Sequence, residues 1–320
     1  MTTRDNVLTL LKESGAIYSG AKLATQLGVS RTAIWKAIRE LEKHGYQFEH
    51  TPTGYRFLAD DRLDAQAIKN ETLSFLNVKT FAESESTMKD AKLAALQKEN
   101  APLLFVADTQ TAAHGRFGRP FFANKGQGIY MSLLLNPKQA FQELPQYTVL
   151  AAVAVSQAID ELTGFTTQIK WVNDIYLNDK KICGILSEAM SDFESGTISH
   201  VVIGMGINVS IPQVDFPQEL QAKVTSLYPT GEAEITRNQL IQKIWANFFT
   251  LINNLDDQSY LTIYRQKSYV LGKKVTFSQQ NQTYQGLATN ITDTGELVVE
   301  TPTKTFILSS GEISLTSIEK

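Results

Sequence analysis

Apolar residues recur at helical spacing three times before residue 45. Val7, Leu8 and Leu11 form one stripe, Leu23, Ala24 and Leu27 a second, and Ile34, Ile38 and Leu41 a third. Ser19 and Ser30 stand where N-caps belong, and Gly28 breaks the second helix. Helix, glycine-containing turn and helix make a helix-turn-helix. A short strand at 46–49, a turn at Thr51-Pro52-Thr53-Gly54 and a return strand at 55–57 add a wing. Past a charged joint at 59–64 the pattern changes. Apolar runs at 103–107, 128–135 and 201–209 read as buried strands, and 149–162 as an apolar helix. A strand near Thr80 runs into Ser86-Thr87 ahead of a helical stretch from Lys89. Residues 221–227 and 238–255 read as loop plus helix. Residues 170–172 and 181–187 read as strands around a turn at Asn178-Asp179. Period-two alternation sets Lys181, Cys183 and Ile185 on one face of the second, and Ile182, Gly184 and Leu186 on the other. Short strands at 274–277, 283–291, 297–300 and 304–308 end the chain. Their turns fall at Gln279-Gln280-Asn281, Asp293-Thr294-Gly295 and Ser309-Ser310-Gly311, a pattern that suits a small SH3-type barrel. The expected class is α+β in three domains: a winged helix-turn-helix over 1–61, a central mixed sheet with helices over 62–268, and the barrel over 269–320.

Composition narrows the function. The chain has 320 residues, and at about 150 residues per domain it holds two or three domains. Its net charge of −3 does not advertise nucleic acid. Residues 1–59 differ: eight Lys and Arg against five Asp and Glu give 8 − 5 = +3. Ser30, Arg31, Thr32 and Lys36 open the third helix, where a recognition helix meets base edges and phosphates, and Arg56 lies on the wing. Trp35 reads as a packing residue. The single cysteine, Cys183, excludes an internal disulfide framework and fits a reducing compartment. It has no base beside it and reads as core. The first residues lack a signal-peptide apolar core, and no run approaches bilayer length, so a cytoplasmic location without membrane partners is expected.

The chemistry centres on residues 110–132, QTAAHGRFGRPFFANKGQGIYMS. His114, Arg116 and Arg119 are interleaved with Gly115 and Gly118. Small residues let backbone amides approach a ligand, and arginines supply planar forks for phosphate. The strand from Gly128 makes this a cationic loop hung from a rigid sheet. Lys181, next to an apolar strand, needs a partner if it points inward. Gly204-x-Gly206 lacks the third glycine and the following helix of a dinucleotide fingerprint. The two glycines instead let a ligand or a strand lie against the backbone.

With these residues assembled, the chain resembles the bifunctional biotin–protein ligase and biotin operon repressor family over nearly its whole length. The motifs stand in the family's order: Glu85-Ser86-Thr87; Gly115-Arg116-x-Gly118-Arg119; Lys170-Trp171-x-Asn173-Asp174-Ile175; Lys181-x-x-Gly184-Ile185-Leu186-x-Glu188; Gly204-x-Gly206-Ile207-Asn208; Phe216-Pro217-x-Glu219-Leu220; Gly311-Glu312-x-Ser314-Leu315. The resemblance implies a class II synthetase-like ligase core. It implies ATP, biotin and Mg²⁺ as cofactors and biotinyl-5'-AMP as a bound intermediate. The partners it implies are a carboxylase's biotin acceptor domain, operator DNA and, with ligand bound, a second copy of the chain. By the same resemblance, Lys181, Arg116, Arg119 and Asp174 are catalytic, Asp174 also being the metal candidate. Ser86, Thr87, Gln110, His114, Gly115, Arg116, Lys181, Gly204 and Gly206 hold biotin. Arg116, Arg119, Phe121, Trp171, Asn173, Lys181 and Asn208 hold the nucleotide. The chain departs from the family where Ala113-His114 replaces Gly-Arg, Phe121 replaces tryptophan, Val172 replaces proline and Met88 replaces asparagine. An arginine is permanently charged and an ordinary histidine is mostly neutral at pH 7, so a looser hold on the intermediate is implied. Three rival readings are a ligand-sensing repressor without effective ligase activity, a ligase whose winged helix serves protein contacts only, and a ligase for another short acid such as lipoate.

Overall fold

A computed structural model describes every residue except 1, 44, 45, 47, 58–60, 138–143, 192–197, 281, 310, 312 and 316–320. The three N-terminal stripes become α1 (Thr3–Ser14), α2 (Gly20–Leu27) and α3 (Arg31–Lys43). Thr2 and Asp5 cap α1 reciprocally. The Ser19 hydroxyl accepts the Lys22 amide for α2, and Ser30 accepts the Ala33 amide at 3.1 Å for α3. Val7, Leu11, Leu23, Ile34, Ile38, Leu41 and Phe48 form the core of this unit, Met1–Asp61. Each large apolar side chain buried there stabilises it by roughly 1.5–3 kcal/mol. The wing is β1 (Phe48–Thr51) antiparallel to β2 (Gly54–Phe57), with Tyr46 of the expected strand outside it. Tyr18 and Tyr55 exchange amide hydrogen bonds of 2.9 and 2.8 Å that tie the wing to the helices. A Cβ at Gly54 would lie 2.1 Å from the Tyr18 carbonyl oxygen, an approach that glycine alone permits.

The second unit, Arg62–Lys320, is built on a seven-stranded mixed sheet. In chain order its strands are β3 (Asn77–Phe81), β4 (Leu103–Ala107), β5 (Gly128–Leu135), β6 (Gln168–Lys170), β7 (Asp174–Leu177), β8 (Lys180–Ser191) and β9 (Ile198–Asn208). Their spatial order is β3-β4-β5-β9-β8-β7-β6. β3 and β4 run parallel, and the other neighbours are antiparallel. A short α4 (Ala65–Ile68) precedes the sheet, and α5 (Thr87–Leu96) follows β3. Leu103, Phe105, Leu134 and Val202 face α5. Leu104, Val106, Leu133, Val201 and Ile203 face the opposite side, against α6 (Leu144–Thr163), α7 (Arg237–Ile252) and α8 (Ser259–Gln266).

The hairpin around Lys181 differs from its sequence reading in two ways. The strand expected through 172 stops at Lys170; Trp171–Asn173 form a turn, with the Trp171–Val172 peptide cis, and β7 begins at Asp174. Asn178 and Asp179 then turn the chain with φ of 49° and 61°. In β8, Cys183 pairs with Ile175 but Lys181 pairs with Tyr176, so Ile182 is an extra, bulged residue. The bulge breaks the expected alternation. Ile182 and Cys183 are both buried, and Lys181 shares a face with Gly184, where a Cβ would lie 3.0 Å from Nζ. Burial pushes the Cys183 thiol up, as suits a packing residue.

The remaining strands are β10 (Lys274–Gln279), β11 (Gln282–Ile291), β12 (Leu297–Glu300), β13 (Thr305–Leu308) and β14 (Ile313–Leu315). They form an antiparallel sheet of order β13-β12-β11-β10-β14, whose outer strands among the described residues are β13 and β14. Its apolar face, with Val275, Phe277, Ala288 and Val299, belongs to the same buried cluster as α6 and the seven-stranded sheet. Ala59 and Asp60 of the joint, Asn281 and Ser310 of two turns, and Glu312 of the last motif lie outside the described residues.

Candidate functional site

Strand register builds a trough of small residues on the α5 face of the sheet. Gly206 stands between Tyr130 and Gly184, and Gly184 stands beside Asp174. Gly204 stands between Ser132 and Leu186. Two side chains occupy the trough. A Cβ at 204 would meet the Met88 sulfur at 2.5 Å, and a Cβ at 206 would meet the Phe121 ring at 2.3 Å. Phe121 also packs edge-on against Tyr130 with centroids 6.2 Å apart, so the cationic loop lies down on the sheet.

The first turn of α5 borders one end. Ser86 and Thr87 are 3% and 2% exposed. The Thr87 amide, which has no partner within its helix, donates to Gln110 Oε1 at 2.7 Å. Thr87 Oγ1 and Ser132 Oγ lie 2.8 Å apart in a hydrogen bond. Ser86 holds the N-cap position, with no capping bond from its side chain among the described residues. Amides of Thr111 and Ala112 donate to the carbonyls of Ser84 and Glu85 and fasten the start of the loop to this turn. Three residues expected at one polar ligand head are therefore gathered here, and Ser132 joins them.

Positive charge converges at the other end. Lys181 Nζ lies 2.7 Å from Asp174 Oδ1, above Gly184. Arg116 Nη1 donates to Asn173 Oδ1 at 3.2 Å, and Asn173 Nδ2 donates to the Ile185 carbonyl at 2.6 Å. Two cations against one carboxylate leave an excess of positive charge in a partly buried place, which suits a phosphate. Within the loop, the Gly115 amide donates to the Arg119 carbonyl at 2.8 Å, and the Arg119 amide to the Arg116 carbonyl at 3.3 Å. His114 and Arg119 are exposed, and a backbone bridge joins His114 to Pro120. Trp171 and Asn208 are buried and occupied elsewhere. Trp171 Nε1 donates to the Gly295 carbonyl at 3.0 Å, joining the sheet to the C-terminal strands, and Asn208 Nδ2 donates to the Thr225 carbonyl at 3.0 Å. Among the described residues, no three His, Cys, Asp or Glu side chains gather as a metal site. Asp174 is the carboxylate beside the cations.

One residue that the sequence reading passed over holds the loop in place. Arg237, the first residue of α7, is 3% exposed. Its Nη1 donates to Asp108 Oδ1 at 2.7 Å and to the Gly128 carbonyl at 3.2 Å. Asp108 and Gly128 are the two stems of the cationic loop, so one guanidinium clamps both.

Comparison with known proteins settles the family. Residues 80–208 match the model of the biotin/lipoate A/B protein ligase family, 3–56 an HTH domain and 270–316 the biotin protein ligase C terminal domain. The bifunctional ligase/repressor BirA of Bacillus spizizenii is 37% identical over 98% of this chain and 99% of its own length. The chain belongs to the bifunctional biotin ligase/repressor family. The BirA of Escherichia coli is 26% identical over 99% of this chain and 100% of its own. A solved biotin protein ligase from Aquifex aeolicus, in complex with biotin and ATP, superposes with a TM-score of 0.61. It has 27% identity and covers 75% of this chain and 98% of that one.

In this member of the ligase/repressor family, the trough and the cation cluster both lie within the ligase match. Replacing Gly206 by valine puts methyl groups where the Phe121 ring now sits. On the reading of the trough as the biotin site, G206V is expected to weaken biotin binding by about 10- to 100-fold, the usual scale of overpacking, while the protein stays folded. Titration calorimetry checks the first effect and circular dichroism the second.

The helix-turn-helix match contains the DNA-contact candidates. Arg31, Thr32 and Lys36 are exposed on α3. The Ser30 hydroxyl is engaged in capping, and Arg56 pairs with Glu49 at 2.5 Å across the wing. The packing role expected for Trp35 is not met: the indole is 50% exposed. It lies about 100° around the helix from the buried Ile34, outside the stripe that faces the core.

Proposed function

We propose that this protein makes biotinyl-5'-AMP from biotin and ATP, transfers biotin to a lysine of a carboxylase's acceptor domain, and represses biotin genes while the intermediate is bound. The observation that carries the reading is the trough, polar at the Ser86–Thr87–Gln110 end and cationic at the Lys181–Arg116 end. That polarity matches a ligand with an amide-like head and an anionic tail. Ser86, Thr87 and Gln110 take the ureido head, where buried polar groups need partners. Once the Met88 and Phe121 side chains that fill the trough swing aside, Gly204 and Gly206 bring backbone against the bicyclic ring, and His114 and Gly115 close over it. Phe121 and Asn173 face the nucleotide, and Trp171 and Asn208 support those walls from inside. The domain boundary near residue 268 belongs to this proposal.

In the first step a biotin carboxylate oxygen bonds to the α-phosphorus of ATP. The bond from that phosphorus to the β-bridging oxygen breaks, and pyrophosphate leaves. Two anions meet, so fixed positive charge aimed at the α-phosphate lowers the barrier. Lys181 and Arg116 supply it, Asp174 holds Lys181, and Arg119 assists the phosphates and loop closure. Asp174 would be the side chain to help hold Mg²⁺, which would supply neutralisation of phosphate charge. The mixed anhydride is protected from water by the loop lying over it. In the second step the acceptor amine attacks the acyl carbon, AMP leaves and one proton is released. A free lysine amine is neutral in only about one molecule in 10³ near pH 7.4, so Lys181 as a like charge or Asp174 as a base assists it.

One winged helix makes few phosphate contacts, so the repressor acts as a dimer on a two-fold operator. The bound intermediate favours that dimer through a difference in affinity. Among the described residues no helix is long and apolar enough to cross a membrane. Acceptor protein and DNA are both met in the cytoplasm.

The test is to incubate the protein with ATP, Mg²⁺ and either biotin or lipoate, with an acceptor domain in half the samples, followed by mass spectrometry. Biotinyl-adenylate and a biotinylated acceptor are expected. Biotin bound but never activated would leave a sensor, and lipoyl transfer in its place would change the substrate.

A further inference from the structure

The exposed indole on α3 is at odds with its surroundings. Buried Ile34, Ala37, Ile38 and Leu41 define the inner stripe of the helix. Arg31, Thr32, Trp35, Lys36 and Arg39 are exposed. Trp35 is four residues from both Arg31 and Arg39, so the three lie along one face. The Arg39 guanidinium sits 5.6 Å from the indole ring, and Arg39 also reaches Glu42 at 3.5 Å. A single exposed apolar side chain is ordinary, and Phe75, Leu96 and Phe117 are as exposed or more so. What sets Trp35 apart is its place between two arginines on the outer face of the second helix of a helix-turn-helix. A second copy docking on this face by a two-fold axis would bring Arg31, Lys36 and Arg39 against their own like charges. A polyanion would not, and residues 1–59 carry the positive balance of +3 that suits one.

We propose that Trp35 reads operator sequence in the major groove, its indole packing on a thymine methyl while Arg39, beside the ring, meets the adjacent phosphate. This rests on the reading of the N-terminal unit as operator-binding. Thymine's methyl is the one apolar group that a base pair presents in that groove. The arginine supplies affinity without sequence preference, and the indole supplies preference.

The chain has three tryptophans, and Trp171 and Trp245 are 4% and 0% exposed. Acrylamide quenching of the native protein therefore reports mainly Trp35. The experiment starts from DNA enriched by the wild-type protein, with biotin, ATP and Mg²⁺, out of a random duplex library. Quenching is measured with and without that DNA, and the enrichment is repeated with W35A and W35F. The quenchable fraction is expected to fall on binding. W35A is expected to bind the enriched sequence about 10- to 100-fold more weakly and to lose preference at one A·T position per half-site. Its binding to unrelated DNA and its salt slope should match wild type. W35F should retain part of the preference, and both variants should keep the wild-type melting temperature. If the wild type enriches a sequence and W35A enriches the same one with equal affinity, the role of Trp35 is overturned while operator binding stands. Quenching unchanged by DNA, or loss of self-association as the main effect of W35A, also overturns it. If the wild type enriches nothing, operator binding itself fails and the proposal with it.

Discussion

Replacing Lys181 by alanine is expected to slow formation of biotinyl-adenylate by about 10²–10³-fold, the usual consequence of removing one fixed charge or donor from a developing anion. The Michaelis constant for biotin should change much less, because the proposed place of the polar head is the other end of the trough, near Thr87 and Gln110. K181R should not recover the rate. The compact ammonium meets Asp174 at 2.7 Å over Gly184, and a planar guanidinium places its charge and donors differently, so the two are not interchangeable at this position. Stopped-flow release of pyrophosphate measures the step. A K181A rate within threefold of wild type would remove Lys181 from the chemistry and move attention to Arg116.

The largest effect on stability is expected at Arg237. R237M leaves the Asp108 carboxylate without its buried partner and the Gly128 carbonyl without a donor. Breaking one side of a buried ion pair destabilises by about 3–5 kcal/mol. The loss also frees both stems of the cationic loop. The variant should therefore unfold at lower denaturant and also release biotinyl-adenylate faster at temperatures where it remains folded. D108N keeps an oxygen acceptor for the guanidinium and should show a smaller change in both. Denaturation midpoints and the dissociation rate of the pre-formed intermediate test this. An R237M protein as unstable as expected but with an unchanged dissociation rate would make Arg237 purely structural.

The parts legible in the sequence share a physical reason: they are local. Ser19, Ser30 and Gly28 act within a turn of their own position, so the helix-turn-helix could be read from caps and periodicity. The glycine-arginine loop and the buried strands around it were likewise legible from short runs. What was hidden depends on partners far away along the chain. The bulge at Ile182 is a property of β7 and β8 together, and period-two counting cannot detect it. Met88 and Phe121 meet Gly204 and Gly206 across more than 80 positions of sequence. Arg237 sits at a helix start, where a surface arginine would look the same, and is recognisable only once Asp108 and Gly128 are beside it. The four-residue α4 carries too few turns for a periodic signal to stand out. Trp35 was misread because aromatic residues are usually buried, and one position of helical rotation decides otherwise.

A single intermediate that serves as both substrate and corepressor makes a direct demand on DNA binding. The measurement that tests it is fluorescence anisotropy of the enriched DNA duplex, titrated with wild-type protein and with K181A. Each is taken with biotin alone and with biotin plus ATP and Mg²⁺. Tight binding is expected from the wild type with biotin and ATP together, and weak binding in the other three cases. Synthetic biotinyl-adenylate should restore tight binding to K181A. Equal affinity in all four cases would contradict a shared intermediate and separate the two activities of the chain.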